Sequence, residues 1–315
     1  YGTVTGVQTC ALPISELKVI VSRTQTRADE AAREWNIPEG SSNYDSVLQR
    51  TDIDAVYIAT PHVFHFEQSK RALEAGKHVL VEKPITMNAA EARELQEVAK
   101  RSGKFLMEAM WSRFFPIIAQ VREWIRDGSI GDPRMVTADF GFRDAGRMDD
   151  SGRLFNPALG GGALLDVGIY PISFASLILG VPEAASGLAN IGPTGVDIED
   201  GIVLRHQGGR LSTLGAAVIT ETPQAATILG TEGRIEIASP FWCPTRAVLH
   251  PGLGDPYAVD LPIKGNGYEY EALACMDCLR SGKLEHELMP LDETVALMAI
   301  MDSLRAQWGV RYPME

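Results

Sequence analysis

A chain of 315 residues, 45 % of them apolar and 22 % charged, has room for two packed domains and the composition of a soluble globular protein. Its apolar runs read as too short to cross a bilayer. A formal net charge of −12 speaks against sequence-independent binding to nucleic acid or anionic membranes, because neutralising phosphates takes clustered Lys and Arg.

Four cysteines are too few for a disulfide framework. Cys275 and Cys278 form a C-x-x-C, but inside a helical pattern and without a second metal half-site, so two semi-buried helical thiols are the expectation. Trp242-Cys243-Pro244-Thr245 lacks the second cysteine of a redox motif. No secretory signal is visible. The chain is expected to be cytoplasmic and to need no metal.

In chain order, short β-branched runs alternate with amphipathic segments up to about residue 110. "LKVIVS" (17–22) predicts a strand and "RADEAAREW" (27–35) a helix ended by Ile37-Pro38. "DAVYIAT" (54–60) is a buried strand closing at Pro61, and "FHFEQSKRALEAGK" (64–77) a helix with Gly76 near its end. "HVLVEK" (78–83) is a strand cut off by Pro84. "NAAEARELQEVAKRSG" (88–103) predicts a helix with Asn88 as N-cap, Glu91 at the capping-box position and Gly103 as the stop. "FLMEAM" (105–110) is the last strand of the series. This alternation of apolar strands and helices predicts a parallel sheet covered on both faces, an α/β architecture.

Beyond residue 110 the rhythm changes. A helix over "PIIAQVREWIRDG" (116–128) precedes a long alternating strand, "PRMVTADFGF" (133–142). A glycine-rich turn opens a second helix, "GGALLDVGIYPISFASLILG" (161–180). The strands "GIVLRH", "RLSTLGAAVIT" and "ATILGTEGRIEIAS" come next, with a hairpin-like turn at 231–233, and helices near 268–281 and 291–308 finish the chain. This predicts a mainly antiparallel sheet with helices on one face. The expected domain boundary falls near residue 110, dividing 16–110 from 111–315.

In a doubly wound sheet, ligands bind beyond the carboxyl ends of the strands, and three strand ends carry unusual residues. At the first, Ser22 and Arg23 stand where an NAD site would place an acidic residue, with Arg27 one helical turn on. Two guanidiniums there suit a 2′-phosphate, or form a solvated helix face. At the second, Thr60 and Pro61 lead to His65 at a helix start, a cofactor contact or simply a cap. At the third, Glu82 and Lys83 precede Pro84; the ammonium could orient a reacting oxygen, or snorkel to water. The helix after the glycine turn puts Asp166 and Tyr170 four apart, able to hold a phenol as acid or base, although polar pairs at that spacing are common.

The order "ATP…H", "GKHVLVEKP", "GGGALLDVGIYP" closely resembles the Gfo/Idh/MocA family of nicotinamide-dependent oxidoreductases from residue 16 to the end. "FLMEAMWSRFFP" and "FWCPT" look like its branch of dihydrodiol dehydrogenases and NADP-dependent D-xylose 1-dehydrogenases. The resemblance implies a truncated Rossmann-type parallel sheet plus an α+β domain with a large open sheet that forms a homodimer. It implies Lys83 beside the nicotinamide, Tyr170 as acid/base, Asp166 orienting the reacting groups, and Thr60, Pro61, His65 and Glu82 at the cofactor. Arg23 and Arg27 match residues that hold the NADP 2′-phosphate, and Trp111 and Trp242 match the substrate pocket. The substrate implied is a sugar or cyclic diol, oxidised at a secondary or anomeric hydroxyl. Another sugar or inositol with NAD, or an impaired cofactor-binding fragment or sensor without catalysis, are the alternatives.

Such a family member should open with a strand, a G-x-G-x-x-G turn and a helix, a unit of roughly 25 to 30 residues. Only 15 residues precede Glu16, and "VTGVQTCALPI" (4–14) reads as an in-frame translation of a sequencing adapter. Residues 1–15 are therefore expected to be foreign to the fold, with weak NADP binding as the consequence.

Overall fold

The structure, a computed structural model, describes residues 16–144 and 148–315. The expectation of a foreign segment at 1–15 thus lies outside the described residues.

In the first part, β1 (Val19–Val21) leads into α1 (Gln25–Glu34), β2 (Glu39–Ser41) and the short α2 (Tyr44–Leu48). Then come β3 (Ala55–Ile58), α3 (His65–Glu74), β4 (His78–Glu82), α4 (Ala89–Ser102) and β5 (Leu106–Ala109). The stop and start signals act as read. Asn88 Oδ1 accepts from the Glu91 N–H, and Gly103 ends α4 at φ 62°, a left-handed turn that glycine enters without a Cβ clash. α1 starts two residues before the pattern suggested, because the Thr24 hydroxyl caps it by accepting from the Arg27 N–H.

All pairings in this part are parallel. They fall into two pieces, β1-β2 and β3-β4-β5; among the described residues no strand bridges β1 and β3.

In the second part, α5 (Pro116–Arg126) and β6 (Pro133–Gly141) precede α6 (Ile169–Leu179). The strands β7 (Pro182–Ile191), β8 (Asp197–His206), β9 (Leu211–Ala217), β10 (Ala226–Gly230) and β11 (Arg234–Ile237) come after it. β12 (Arg246–His250), β13 (Tyr257–Asp260), α7 (Glu269–Arg280) and α8 (Leu291–Trp308) complete it. The eight strands form one sheet in the order β13-β12-β11-β10-β6-β9-β8-β7. Every neighbouring pair is antiparallel except β6 and β9. Along β8, Ile202 and Leu204 are buried while Val203 between them is exposed, as are Leu188 on β7 and Leu211 on β9. One face therefore holds the core, and the other is open.

Two expectations need correction. The helix read over 161–180 is not one α-helix: Leu164–Gly168 form a π-turn in which the Ile169 N–H reaches Leu164 O, five residues back, before α6 proper begins. Pro171 accounts for this, since it lacks an N–H and would collide with a carbonyl four residues back in a regular helix. The apolar runs are also not all short. Pro157–Leu179 is long and apolar enough by composition to cross a membrane, yet 89 % of its most apolar stretch is buried inside the protein, which makes it a core segment.

α8 joins the two parts, packing on β7 and also on α4 and β5. From it the buried Arg305 donates to Met87 O at 3.3 Å and pairs with Asp302 and Glu315 at 2.6 and 2.8 Å. On β5, Glu108 is 2 % exposed and accepts from the Ile85 N–H at 2.9 Å, pinning the chain just beyond Lys83 and Pro84. Burial pushes its carboxyl up to about 7, against the opposing pull of Ile85 and Arg113.

Two outcomes are expected. Between about pH 4.5 and 7 the folded chain keeps a proton on Glu108 that the unfolded chain has released, so this group favours the fold below that window and opposes it as pH rises through it. From pH 5 to 8 the protein should lose up to roughly 3 kcal/mol more unfolding free energy than Glu108→Gln; equal losses in denaturant titrations would refute this. Because β1-β2 is a separate two-stranded sheet, amides of Val19–Val21 should exchange with deuterium at least about tenfold faster than those of Val79–Val81. Matched protection would show that the two pieces open together.

Candidate active site

Lys83 lies just past the end of β4, where Pro84 turns the chain. Its side chain is 13 % exposed, and its Nζ donates to Asp166 O at 2.5 Å and stands 3.4 Å from Asp166 Oδ1. The contact joins a strand end of the first part to the π-turn of the second. Asp166 is held from its other side by Arg153, whose Nη1 and Nη2 donate to its two carboxylate oxygens at 2.8 and 3.3 Å. Burial alone would raise the Asp166 carboxyl, but the Lys83 ammonium and the Arg153 guanidinium overcome it and hold the group far below its usual range. Asp166 is therefore a permanent carboxylate.

The Lys83 ammonium also lies 4.9 Å from the centre of the Tyr170 ring. The Tyr170 hydroxyl accepts from Trp111 Nε1 at 3.1 Å. The Asp166 carboxylate thus goes to two cations rather than to the phenol, and bears on Tyr170 through Lys83. Burial first, then the negative character of Glu82 and Tyr268, push the Tyr170 phenol well above its ordinary value. At rest it carries its proton.

Beneath Lys83 is an acidic floor. Glu82 accepts from the Tyr57 hydroxyl, and burial raises its carboxyl. Glu271 of α7 is 1 % exposed, its Oε2 has no hydrogen-bond partner, and burial together with Glu82 drives its carboxyl well up. A protonated Glu271 keeps this pair from placing two negative charges beside the tyrosine.

The other expected residues are more scattered. Thr60 Oγ1 donates to Gln68 Oε1 at 2.9 Å, and Pro61 precedes a short 3₁₀ turn, His62–Phe64. His65 is fully buried instead of facing an open cleft, with its ring nitrogens 2.7 Å from Thr60 O and 2.8 Å from Pro84 O. It ties the end of β3 to the turn after Lys83. His62, beside it, is pushed down to about 3 by burial and so stays neutral. Arg23 and Arg27 are exposed at the start of α1, and neither guanidinium makes an ion pair among the described residues. That leaves both free to take a phosphate, and no acidic side chain occupies the β1 end to claim a ribose hydroxyl.

Trp111 and Trp242 both belong to one aromatic wall, their ring centres 6.1 Å apart. Trp111 stacks on Tyr268 at 4.2 Å, Trp242 stacks on Phe140 at 4.9 Å, and Phe140 lies 5.3 Å from Tyr170. Gln224 Oε1 fixes the Trp242 indole by accepting its N–H at 3.0 Å. Sequence reasoning missed Phe140, Tyr268, Arg153 and Glu271. Only the buried position of Glu271 within a helical pattern could have flagged any of them. A separate cleft of about 390 Å³ between α5 and α7, lined by Arg122, Lys283 and His286 among others, holds none of the predicted residues.

The comparisons with known proteins bear on the fold and the family. Residues 5–110 match the family description "Oxidoreductase family, NAD-binding Rossmann fold", and residues 118–236 match "GFO/IDH/MocA C-terminal domain". The trans-1,2-dihydrobenzene-1,2-diol dehydrogenase of Mus musculus is 36 % identical over 97 % of this chain and 93 % of its own length. That of Homo sapiens is 34 % identical over 96 % and 92 %. Among solved structures, KijD10, a 3-ketoreductase from Actinomadura kijaniata in complex with NADP and TDP-benzene, superposes with a TM-score of 0.80 at 27 % identity, covering 94 % of this chain and 90 % of that one. A levoglucosan dehydrogenase shares the fold with a TM-score of 0.85 at 22 % identity, over 93 % of this chain and 88 % of its own. The chain belongs to the Gfo/Idh/MocA family of oxidoreductases, with a Rossmann-type nicotinamide-dinucleotide domain followed by the family's C-terminal domain.

Proposed function

We propose that this oxidoreductase moves a hydride between NADP and a secondary or anomeric hydroxyl of a sugar or cyclic diol, of the D-xylose or trans-dihydrodiol type. The observation that carries the reading is the grouping of Lys83, Tyr170 and Asp166 against a wall of four aromatic rings. Flat rings take the C–H face of a pyranose or a diol ring, while the phenol and ammonium meet the hydroxyl.

When bound, NADP supplies the ring carbon that exchanges the hydride. In oxidation, Tyr170 Oη takes the proton of the substrate hydroxyl as its C–H electrons leave as hydride; in reduction it returns that proton to the carbonyl oxygen. The resting tyrosine is protonated, ready for reduction. For oxidation the Lys83 ammonium stabilises the tyrosinate that begins the cycle. Trp111 Nε1–H holds the phenol oxygen in place. Arg23 and Arg27 would hold the 2′-phosphate, with the end of β3 at Thr60 and Pro61 and the turn at Glu82 and Lys83 bordering the cofactor. We also place a homodimer contact on the open sheet face, where Leu188, Val203 and Leu211 are exposed. A cytoplasmic location is supported by the free thiols of Cys243, Cys275 and Cys278.

Tyr170→Phe should lower kcat about a thousandfold with D-xylose or a trans-dihydrodiol, while NADPH affinity, read by fluorescence titration, stays within about twofold. Undiminished turnover would remove Tyr170 from the chemistry. Replacing Arg23 and Arg27 by Ser should raise KM for NADP by roughly a hundredfold or more, since each charge-assisted hydrogen bond contributes about 1.5–3 kcal/mol, and leave KM for NAD unchanged. Equal effects on both cofactors would instead favour an NAD enzyme acting on another sugar or inositol.

A further inference from the structure

The reaction outlined above gives Arg153 no task, yet the molecule goes to some length to seat it. Arg153 lies on the segment between β6 and α6, with its side chain 43 % exposed. The glycine-rich turn is what lets that segment approach. A Cβ on Gly161 would stand 2.6 Å from Leu154 O and 2.8 Å from Arg153 O, so no other residue fits there without moving the backbone. Gly161 N–H and Gly162 N–H then bond back to Asn156 O and Leu154 O at 3.0 and 2.9 Å. The glycines therefore hold the Arg153 backbone against the π-turn, and its guanidinium grips both oxygens of Asp166 from the outer side.

Lys83 meets the same carboxylate from the inner side, at 3.4 Å. The three groups sum to one positive charge; without Arg153 they sum to zero, and the carboxylate would be left to Lys83 alone. Resting on the acid/base reading of Tyr170, we propose that Arg153 is a positioning residue that occupies Asp166 so that the Lys83 ammonium keeps its charge available to the phenol.

Charges of both signs surround the tyrosine. Glu82 and Lys83 face it from the end of β4, Asp166 from its own helical start, Tyr268 from the approach to α7, and Arg153 from the outer segment. Glu271 stands behind Glu82, His62 and Lys83 face Asp166, and Asp144 faces Arg153. Of these, only Lys83 and Arg153 favour a tyrosinate; Glu82, Asp166 and Tyr268 oppose it. Removing either cation shifts the titration of the phenol upward, and an opposite charge at this range is worth about one unit or more.

The test is the pH dependence of kcat/KM for oxidation of the polyol turned over in the preceding assay, at saturating NADP. Arg153→Gln should move the rising limb upward by about one unit, an approximately tenfold loss at a fixed pH below it, with KM for NADP unchanged. Arg153→Lys keeps the charge and should stay within about half a unit of the parent. A superimposable profile for a folded Arg153→Gln, or the same displacement in both variants, overturns the proposal. Should the Gln variant not fold, a full-unit displacement in Arg153→Lys overturns it, and a parent-like profile supports it. If Tyr170→Phe leaves the parent profile intact, the acid/base reading itself has failed; if it abolishes turnover while Arg153→Gln changes nothing, only the role of Arg153 falls.

Discussion

The contact between the Lys83 ammonium and Asp166 is where two separately built sheets become one site. An ammonium this far from water costs several kcal/mol unless it is paired and hydrogen-bonded, and Lys83 finds its partners only across the join, in the carbonyl and carboxylate of the π-turn. Neither half can supply the pair alone. The strand must end where it does, because Pro84 turns the chain and Glu108 and His65 pin residues 84 and 85 from two sides. The helix must begin where it does, because the glycine turn and Asp197, which accepts from the Leu164 N–H at 2.6 Å, set its first turn. The packing of α8 on both parts keeps the distance between them short enough for the contact to form.

Around that contact the charges are layered. Lys83 and Arg153 both hold a permanent carboxylate, while the carboxyls of Glu82 and Glu271 are raised by burial, that of Glu271 also by Glu82. Tyr170 feels both sets of charges, and the base role proposed for it sets the Lys83 ammonium against its strongly raised titration point. Desolvation, Glu82 and Tyr268 keep it protonated at rest. The aromatic wall contributes by excluding water, which strengthens each of these charge effects.

Much of this was legible in the sequence because local rules and the global fold agreed. Apolar β-branched runs closed by Pro61 and Pro84, and the caps at Asn88 and Gly103, define their elements without reference to anything distant. The strand-end placement of Lys83 and the short spacing of Asp166 and Tyr170 were visible for the same reason. What failed to show depends on the third dimension. The π-turn required knowing that a proline one residue past the tyrosine would act on the turn before it. Phe140, Tyr268 and Arg153 join the site from three different segments, and no spacing links them to Lys83. That the His65 ring is fully buried, with a backbone carbonyl near each ring nitrogen, also depends on segments distant in the chain. The parallel pairing of β6 with β9 within an otherwise antiparallel sheet likewise arises from chain crossing, which strand patterns do not encode.

The site also divides by where its parts are anchored. Lys83, Asp166, Tyr170 and the aromatic wall rest at the end of β4, on the π-turn and α6, and on elements around the large sheet, where they are buried or half-buried. Arg23 and Arg27, the two arginines suited to a 2′-phosphate, stand past the end of β1 and in the first turn of α1, and the only strand partner of β1 among the described residues is β2. On the roles proposed above, chemistry and cofactor grip therefore rest on separately hydrogen-bonded sheets. A bound dinucleotide would have to span both, so its binding free energy is partly consumed in fixing the smaller piece against the larger. On those proposed roles, changes that stiffen the β1-β2 piece would act on cofactor affinity and changes around Lys83 and Asp166 on the chemical step, a separation that arises from the topology of the first sheet.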